Sequence, residues 1–324
     1  MTRRDAIRSL AIGLLSQRSC GSGRESTSTS RKLEVQVDDE FAALKVAVVH
    51  DGSNAKDIYL ADLIEGHAVA AERGQKHPES GPVLADKVML ELTRFRKLLT
   101  KYGVEIVPPK PVEGGVSQIF TRDPLFAVGK AVFLGSLLDD IRAIELEGLD
   151  EVRESLPGLI DLSREDNVLI EGGDVMVLEG GKVVLVGTNL NTNEAGVTAL
   201  AAHLKKSDAK VHRIRHHSLH LDCCLAPLPN GSAFYHRGTI SRRSMPLLRE
   251  IFKELIPLET KEASIWLASN LLWLNRETVV SGIQTTKTND RLKAMGYKVE
   301  ALDFTNVKRM WGSFRCATCP IKRG

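Results

Sequence analysis

The sequence predicts an α/β fold assembled from copies of one small unit, a β-hairpin followed by a helix and a further strand. Two observations lead there. Hairpin-like segments open on Asp123, Asp174, Asp222 and Asn270, at spacings of 51, 48 and 48 residues. Helix-period stretches and short apolar runs come after these hairpins, so the repeat extends beyond the hairpin itself. A unit of ~50 residues cannot bury its own sheet and has to pack against its neighbours. Closing the copies into a ring leaves no exposed sheet edge. Residues 33–324 have room for five or six such units.

In chain order, Val88, Leu92, Phe95, Leu99 and Tyr102 form one helix face, with Gly103 at its C-terminal end and a strand at 104–107. The first hairpin runs through 124–128 and 131–135, broken by Gly129-Lys130. The second runs through 175–178 and 183–187, broken by Glu179-Gly180-Gly181. Val197, Leu200, Ala201 and Leu204 then mark a helix, and 211–215 a strand. The third hairpin spans 223–228 and 233–236. A helix is expected over 245–255, ended by Ile256-Pro257-Leu258. The fourth hairpin spans 271–274 and 278–282, with a helix over 290–295, a stop at Gly296 and a strand over 298–302. The leading Asp and Asn residues fall at equivalent places in the repeat. If those places face the axis of a ring, acidic side chains collect there.

Residues 1–32 stand apart. Arg3, Arg4 and Arg8 precede the short apolar stretch Leu10 to Leu15, and Ser/Thr/Gly-rich sequence continues through Ser30. Three readings stay open: a leader resembling a twin-arginine export signal, a disordered tail, and an organelle presequence. Location is accordingly cytoplasmic, or exported if the leader is real. The polar stretch 51–84, with Gly52, Gly66, Gly74 and Gly81, reads as a lid or a long loop. Of 324 residues, 43% are hydrophobic and 26% charged, which excludes global disorder and a fibrous repeat. A net charge of +3 and only 5% aromatic residues give no reason to expect a nucleic-acid partner. No run of 18 apolar residues offers a membrane-spanning helix. A homo-oligomer is left open.

Four clusters carry residues suited to chemistry: Thr121-Arg122-Asp123-Pro124, Glu171-Gly172-Gly173-Asp174, His220-Leu221-Asp222, and the run Gly312 to Pro320 containing Arg315, Cys316 and Cys319. If 220–222 is a strand, His220 and Asp222 share a face, although a His-x-Asp pair is by itself more often simply solvated. Gly172-Gly173 implies unusual backbone angles or close approach beside Glu171. Of Cys20, Cys223, Cys224, Cys316 and Cys319, the last two have metal-like spacing, but zinc needs two more ligands and none is evident. A nucleophilic cysteine served by a distant His and carboxylates fits better. His216 and His217 are expected to be solvated loop residues.

The set Phe120 to Pro124, Glu171 to Val175, Thr192-Asn193, His220 to Asp222 and Cys316 to Ile321 resembles the guanidine-modifying superfamily of arginine deiminases, dimethylarginine dimethylaminohydrolases and amidinotransferases. Order and approximate spacing agree from about Val46 to Gly324. The resemblance implies a five-bladed pseudo-symmetric α/β-propeller of ββαβ repeats. It implies Cys316 as nucleophile, His220 as proton donor and then base, and Glu171 as the carboxylate assisting it. Asp123 and Asp222 match the residues that grip the guanidinium, and Asp174 and Arg315 join the substrate-binding set. The substrate is a small guanidino compound, and neither metal nor organic cofactor is needed. The expected reaction is hydrolysis to a ureido product with release of ammonia or an amine. Transfer of the amidino group to an amine is the alternative, and a non-catalytic guanidine-binding protein a third. Asn191 stands where deiminases carry an Arg for the substrate carboxylate, and Trp311 where another is expected, so the identity of the substrate stays open.

Overall fold

The structure is a computed structural model that describes residues 31–57 and 82–324. The leader-like segment, up to residue 30, and positions 58–81 of the expected lid or loop lie outside the described residues. Residues 32–324 form one compact unit.

Among the described residues there are five three-stranded sheets. Four are the predicted units. They comprise β3 (Leu125–Val128), β4 (Ala131–Leu134) and β5 (Ile160–Asp161); β6 (Val175–Leu178), β7 (Val183–Thr188) and β8 (Lys210–Arg215); β9 (Leu225–Pro227), β10 (Ser232–Tyr235) and β11 (Glu254–Pro257); β12 (Leu272–Trp273), β13 (Thr278–Gly282) and β14 (Lys298–Leu302). In every one the middle strand pairs antiparallel with the first and parallel with the third. The parallel partner needs a crossover, and the helical segment of each unit supplies it.

The fifth sheet joins the two ends of the unit. β1 (Leu44–Val48) pairs parallel with β2 (Glu105–Val107) and antiparallel with β15 (Cys319–Arg323), the last strand of the chain. Helix α1 (Ala85–Lys101) crosses over between β1 and β2, burying the predicted face Val88, Leu92, Phe95 and Leu99.

One expected boundary differs. The helix expected over 245–255 stops at Ile251, and 254–257 is strand β11. Backbone pairing of these residues with Ser232–Tyr235 overrides their local helical pattern. A second short helix, Thr260–Trp266, comes after it.

The core positions the loop before β15. Phe314 stacks on Phe304 with ring centroids 4.3 Å apart and leans on Phe95 at 5.5 Å. Burying an aromatic ring of this size contributes ~1.5–3 kcal/mol. The loop that carries Cys316 is therefore clamped two residues upstream of the sulfur.

Candidate active site

The residues that open the five sheets come together. Asp123 precedes β3, Glu171 to Asp174 precede β6, His220 to Asp222 precede β9, Asn270 precedes β12 and Cys316 precedes β15. Asp123, Glu171, His220 and Cys316 line one cavity with Phe120, Asp139, Arg142, Asn191, Leu219, Met310, Trp311 and Gly312.

His220 is not in a strand. It is extended and leads into a one-turn helix, Leu221–Cys223, so the i, i+2 argument for a shared face does not apply. Its Nε2 lies 2.7 Å from Glu171 Oε2, and its Nδ1 lies 3.6 Å from Asp123 Oδ1. Gly173 is required by this contact, because a Cβ there would sit 2.6 Å from the imidazole ring. Close approach, not a left-handed backbone, thus explains the glycine pair. Burial works against a charged His220. The Asp123 carboxylate, the nearby Cys316 sulfur and the Glu171 contact outweigh it and raise the imidazole well above its ordinary range.

Glu171 is held from behind. Leu138 N–H and Asn191 Nδ2 donate to Oε1 at 3.0 and 3.1 Å. Burial would raise its pKa, but the His220 contact prevails and lowers it. The Thr192-Asn193 pair is supporting structure. Thr192 Oγ1 accepts from Glu171 N–H, and Asn193 caps the next helix through Gly196 N–H.

Asp123 Oδ2 accepts from Arg142 Nη1 at 2.8 Å, whereas its buried Oδ1 has no hydrogen-bond partner. Burial raises the Asp123 pKa. His220 Nδ1 is also buried without a hydrogen-bond partner. With Asn191 Oδ1 and Trp311 Nε1, four polar atoms of the lining residues thus stand unsatisfied, which is unusual for buried groups.

Cys316 Sγ accepts from Asn270 Nδ2 at 3.0 Å and lies 3.8–3.9 Å from the oxygens of Asp222. Asn270 Oδ1 in turn accepts from the Arg315 and Cys316 amides, which fixes the turn around the sulfur. The neighbouring Cys223 thiol, assisted by His220, outweighs burial and the Asp222 charge and lowers the Cys316 pKa.

Asp222, Asp174 and Arg315 are in the neighbourhood, but none of the three lines the cavity. Asp174 Oδ1 accepts from Leu221 N–H at 2.7 Å and pairs with His216 Nε2 at 2.8 Å. Arg315 donates to Asp222 Oδ2 at 2.9 Å, to both oxygens of Glu40 and to Val175 O. Arg315 is taken up by partners behind the site, whereas Asp174 is held through Oδ1 and its buried Oδ2 has no hydrogen-bond partner. His216, expected in solvent, is buried in its pair with Asp174, while His217 is exposed as expected.

The two metal-like cysteines are kept apart. Cys316 belongs to the core cluster around Phe314, whereas Cys319 packs with Val46 and Ile321, its thiol pushed up to about 12 by burial. Among the described residues, two other sets of three donor atoms fall within 4.8 Å of one another: Asp123, Glu171 and His220, and Asp222, Cys223 and Cys316.

The sequence did not single out Asn270 as a site residue, although its place at the head of the fourth hairpin marked it as equivalent to Asp123 and Asp222. Arg142, Glu40 and Cys223 carried no comparable signal; the partner of Glu40, Arg315, lies 275 positions away.

Five small mixed sheets, and a thiol beside a His–carboxylate pair where their leading residues meet, define a member of the guanidine-modifying superfamily. Within it, the chain belongs to the family described as N,N dimethylarginine dimethylhydrolase, eukaryotic, whose profile matches residues 65–323. Curated relatives agree. The chain is 28% identical over 259 residues to an arginine deiminase of Rhodococcus erythropolis, spanning 68% of this chain and 62% of that protein. It is 22% identical over 232 residues to the N(G),N(G)-dimethylarginine dimethylaminohydrolase of Pseudomonas aeruginosa, spanning 71% and 87%. Among solved structures, the inosamine-phosphate amidinotransferase of Streptomyces griseus shares the fold, with a TM-score of 0.72, 20% identity, and 90% and 97% of the two chains covered.

Proposed function

We propose that the protein is a hydrolase of a small guanidino compound, working through Cys316 at the axis of a five-bladed α/β-propeller of ββαβ units. The observation that carries this reading is the convergence on one buried cavity of the Cys316 thiol, the His220–Glu171 pair and the unpartnered Asp123 Oδ1. The lowered Cys316 thiol and the raised His220 imidazole agree with it. The unpartnered Oδ1 of Asp123, and Asp222 beside the Cys316 sulfur, supply acceptors for guanidinium N–H groups.

In this mechanism Asp123 and Asp222 hold the guanidinium with its carbon beside the sulfur. The Cys316 thiolate forms an S–C bond, giving a tetrahedral adduct. His220 protonates the departing nitrogen, whose C–N bond breaks to release ammonia or an amine. An amidino–cysteine remains. Neutral His220 then takes a proton from water, the hydroxide adds to the amidino carbon, and the C–S bond breaks to release the ureido product. Glu171 holds the imidazole in orientation and favours its charged form. Asp174 and Arg315 serve by fixing the Leu221 backbone and the Asp222 carboxylate, and Asn270 holds the sulfur. This chemistry uses no metal or organic cofactor.

Amidinotransfer is a second reading, favoured by a neighbouring cavity that shares Leu219 and Trp311 as a wall with the first and has room for an amine acceptor. Part of the chain is also 29% identical over 157 residues to an L-arginine:L-lysine amidinotransferase of Pseudomonas savastanoi. A screen of guanidino compounds with and without added amines separates the two. Hydrolysis gives one ureido product per amine released and no rate increase with added amine. Turnover that depends on the amine, without ureido product, would establish transfer instead.

A further inference from the structure

Cys223 has no part in that chemistry beyond its closeness to Cys316, yet its placement is unlike that of the other described cysteines. Its sulfur, the Cys316 sulfur and an Asp222 oxygen lie within 4.8 Å of one another. Cys224 points into a different core cluster with its thiol on Leu221 O, and Cys319 into a third with its thiol on Pro320 O. The two residues also border different cavities. Cys316 lines the catalytic cavity, and Cys223 lines the adjoining one formed with His217, Ser218, His236 and Ser264.

We propose that Cys223 is a resolving cysteine: oxidation of Cys316 by a hydroperoxide is captured as a Cys223–Cys316 disulfide, a reversible modification that silences the nucleophile and shields it from over-oxidation. In the first step the Cys316 thiolate attacks one peroxide oxygen. An S–O bond forms, the O–O bond breaks, and the departing hydroxide takes a proton from His220 to leave as water. Cys316 is then a sulfenic acid. In the second step the Cys223 sulfur attacks the Cys316 sulfur. The S–S bond forms, the S–O bond breaks, and the hydroxide leaves with the Cys223 proton as a second water. Two thiols are oxidised and one peroxide is reduced.

The sulfurs start at most 4.8 Å apart and a disulfide brings them to ~2.05 Å. One obstacle to the second step is removed by the first. Cys223 is held well above its ordinary pKa chiefly by the neighbouring Cys316 sulfur, ahead of burial and Asp222. Once Cys316 is a sulfenic acid, that sulfur no longer carries a thiolate charge. Asp222 Oδ1, 3.4 Å from Cys223 Sγ, remains to orient the thiol toward its partner.

The test treats the full chain with a small excess of hydrogen peroxide. It then maps cysteine-containing peptides by tandem mass spectrometry, without reductant and after dithiothreitol. The expected result is a linked Cys223–Cys316 pair with a loss of about 2 Da, and a drop of at least ~10-fold in alkylation of Cys316 that dithiothreitol reverses. In Cys223→Ser the same treatment is expected to carry Cys316 on to the sulfinic acid, which dithiothreitol does not reverse. Sulfinic acid at Cys316 with Cys223 free in the unsubstituted chain, or a link through Cys20, Cys224 or Cys319, would overturn the proposal. The unsubstituted chain decides the matter even if the variant does not fold. The readout is a covalent bond, so it stands or falls independently of the guanidino substrate.

Discussion

Replacing Glu171 by Gln isolates the charge of one carboxylate while keeping its shape. The contact to His220 is 2.7 Å, and both side chains are almost fully buried, at 1% and 2% exposure. A hydrogen bond to a charged group contributes ~1.5–3 kcal/mol, and one pK unit corresponds to ~1.4 kcal/mol. Glu171→Gln should therefore lower the folded-state pKa of His220 by ~1–2 units. The Gln amide can keep its acceptor toward Leu138 and Asn191 only by presenting NH2 to the imidazole, which disfavours the protonated ring further. The stability effect has a definite sign. His220 is raised in the folded state, so its contribution is complete below the unfolded value of ~6.5 and is lost as pH rises through the folded pKa. In the variant that loss moves to lower pH. NMR titration of the imidazole, with denaturant midpoints from pH 5 to 9, reads both effects. A His220 titration that does not move would refute the assignment of Glu171 as its electrostatic partner.

The same geometry sets the outcome of other substitutions. Cys316→Ala should cost at least ~10³-fold in turnover of a guanidino substrate with the fold intact, while Cys319→Ala, remote from the cavity, should be far milder. Steady-state kinetics and circular dichroism check the pair. Asp123→Asn and Asp222→Asn should each weaken rate and affinity by ~2–5 kcal/mol, since each removes a charge from the proposed grip. Normal kinetics would remove that residue from the site. Lys308 is buried over the Phe314 ring, and burial lowers its pKa to about 7 against the pull of Glu91, Asp303 and Glu262. The unfolded chain therefore binds one more proton than the folded one above pH 7. Stability should rise by ~2–3 kcal/mol between pH 7 and 9 relative to Lys308→Met. Urea titrations at the two pH values measure that difference.

Much of this fold was legible because its repeat is written in the chain. A leading Asp or Asn and a strand–turn–strand pattern located four of the five sheets. The fifth was not legible, because β1 and β15 lie at opposite ends of the sequence and only tertiary pairing brings them together. Local pattern also failed at 252–255, where pairing with β10 takes residues from a helix-like stretch. At the site, motif order placed Asp123, Glu171, His220 and Cys316 in one cavity. It could not tell which acidic and basic residues face inward. Asp174 and Arg315 sit in the same motifs as their neighbours, yet they are turned to His216 and Glu40 by contacts 42 and 275 residues away.

The central claim is that Cys316 attacks a guanidinium carbon held in this cavity, and labelling with a haloamidine tests it most directly. Intact-mass measurement with subsequent peptide mapping should find one adduct per chain, on Cys316. The rate should fall in Asp123→Asn and in the presence of a competing guanidino substrate. A label on another cysteine, or a Cys316 rate indifferent to both, would contradict the account.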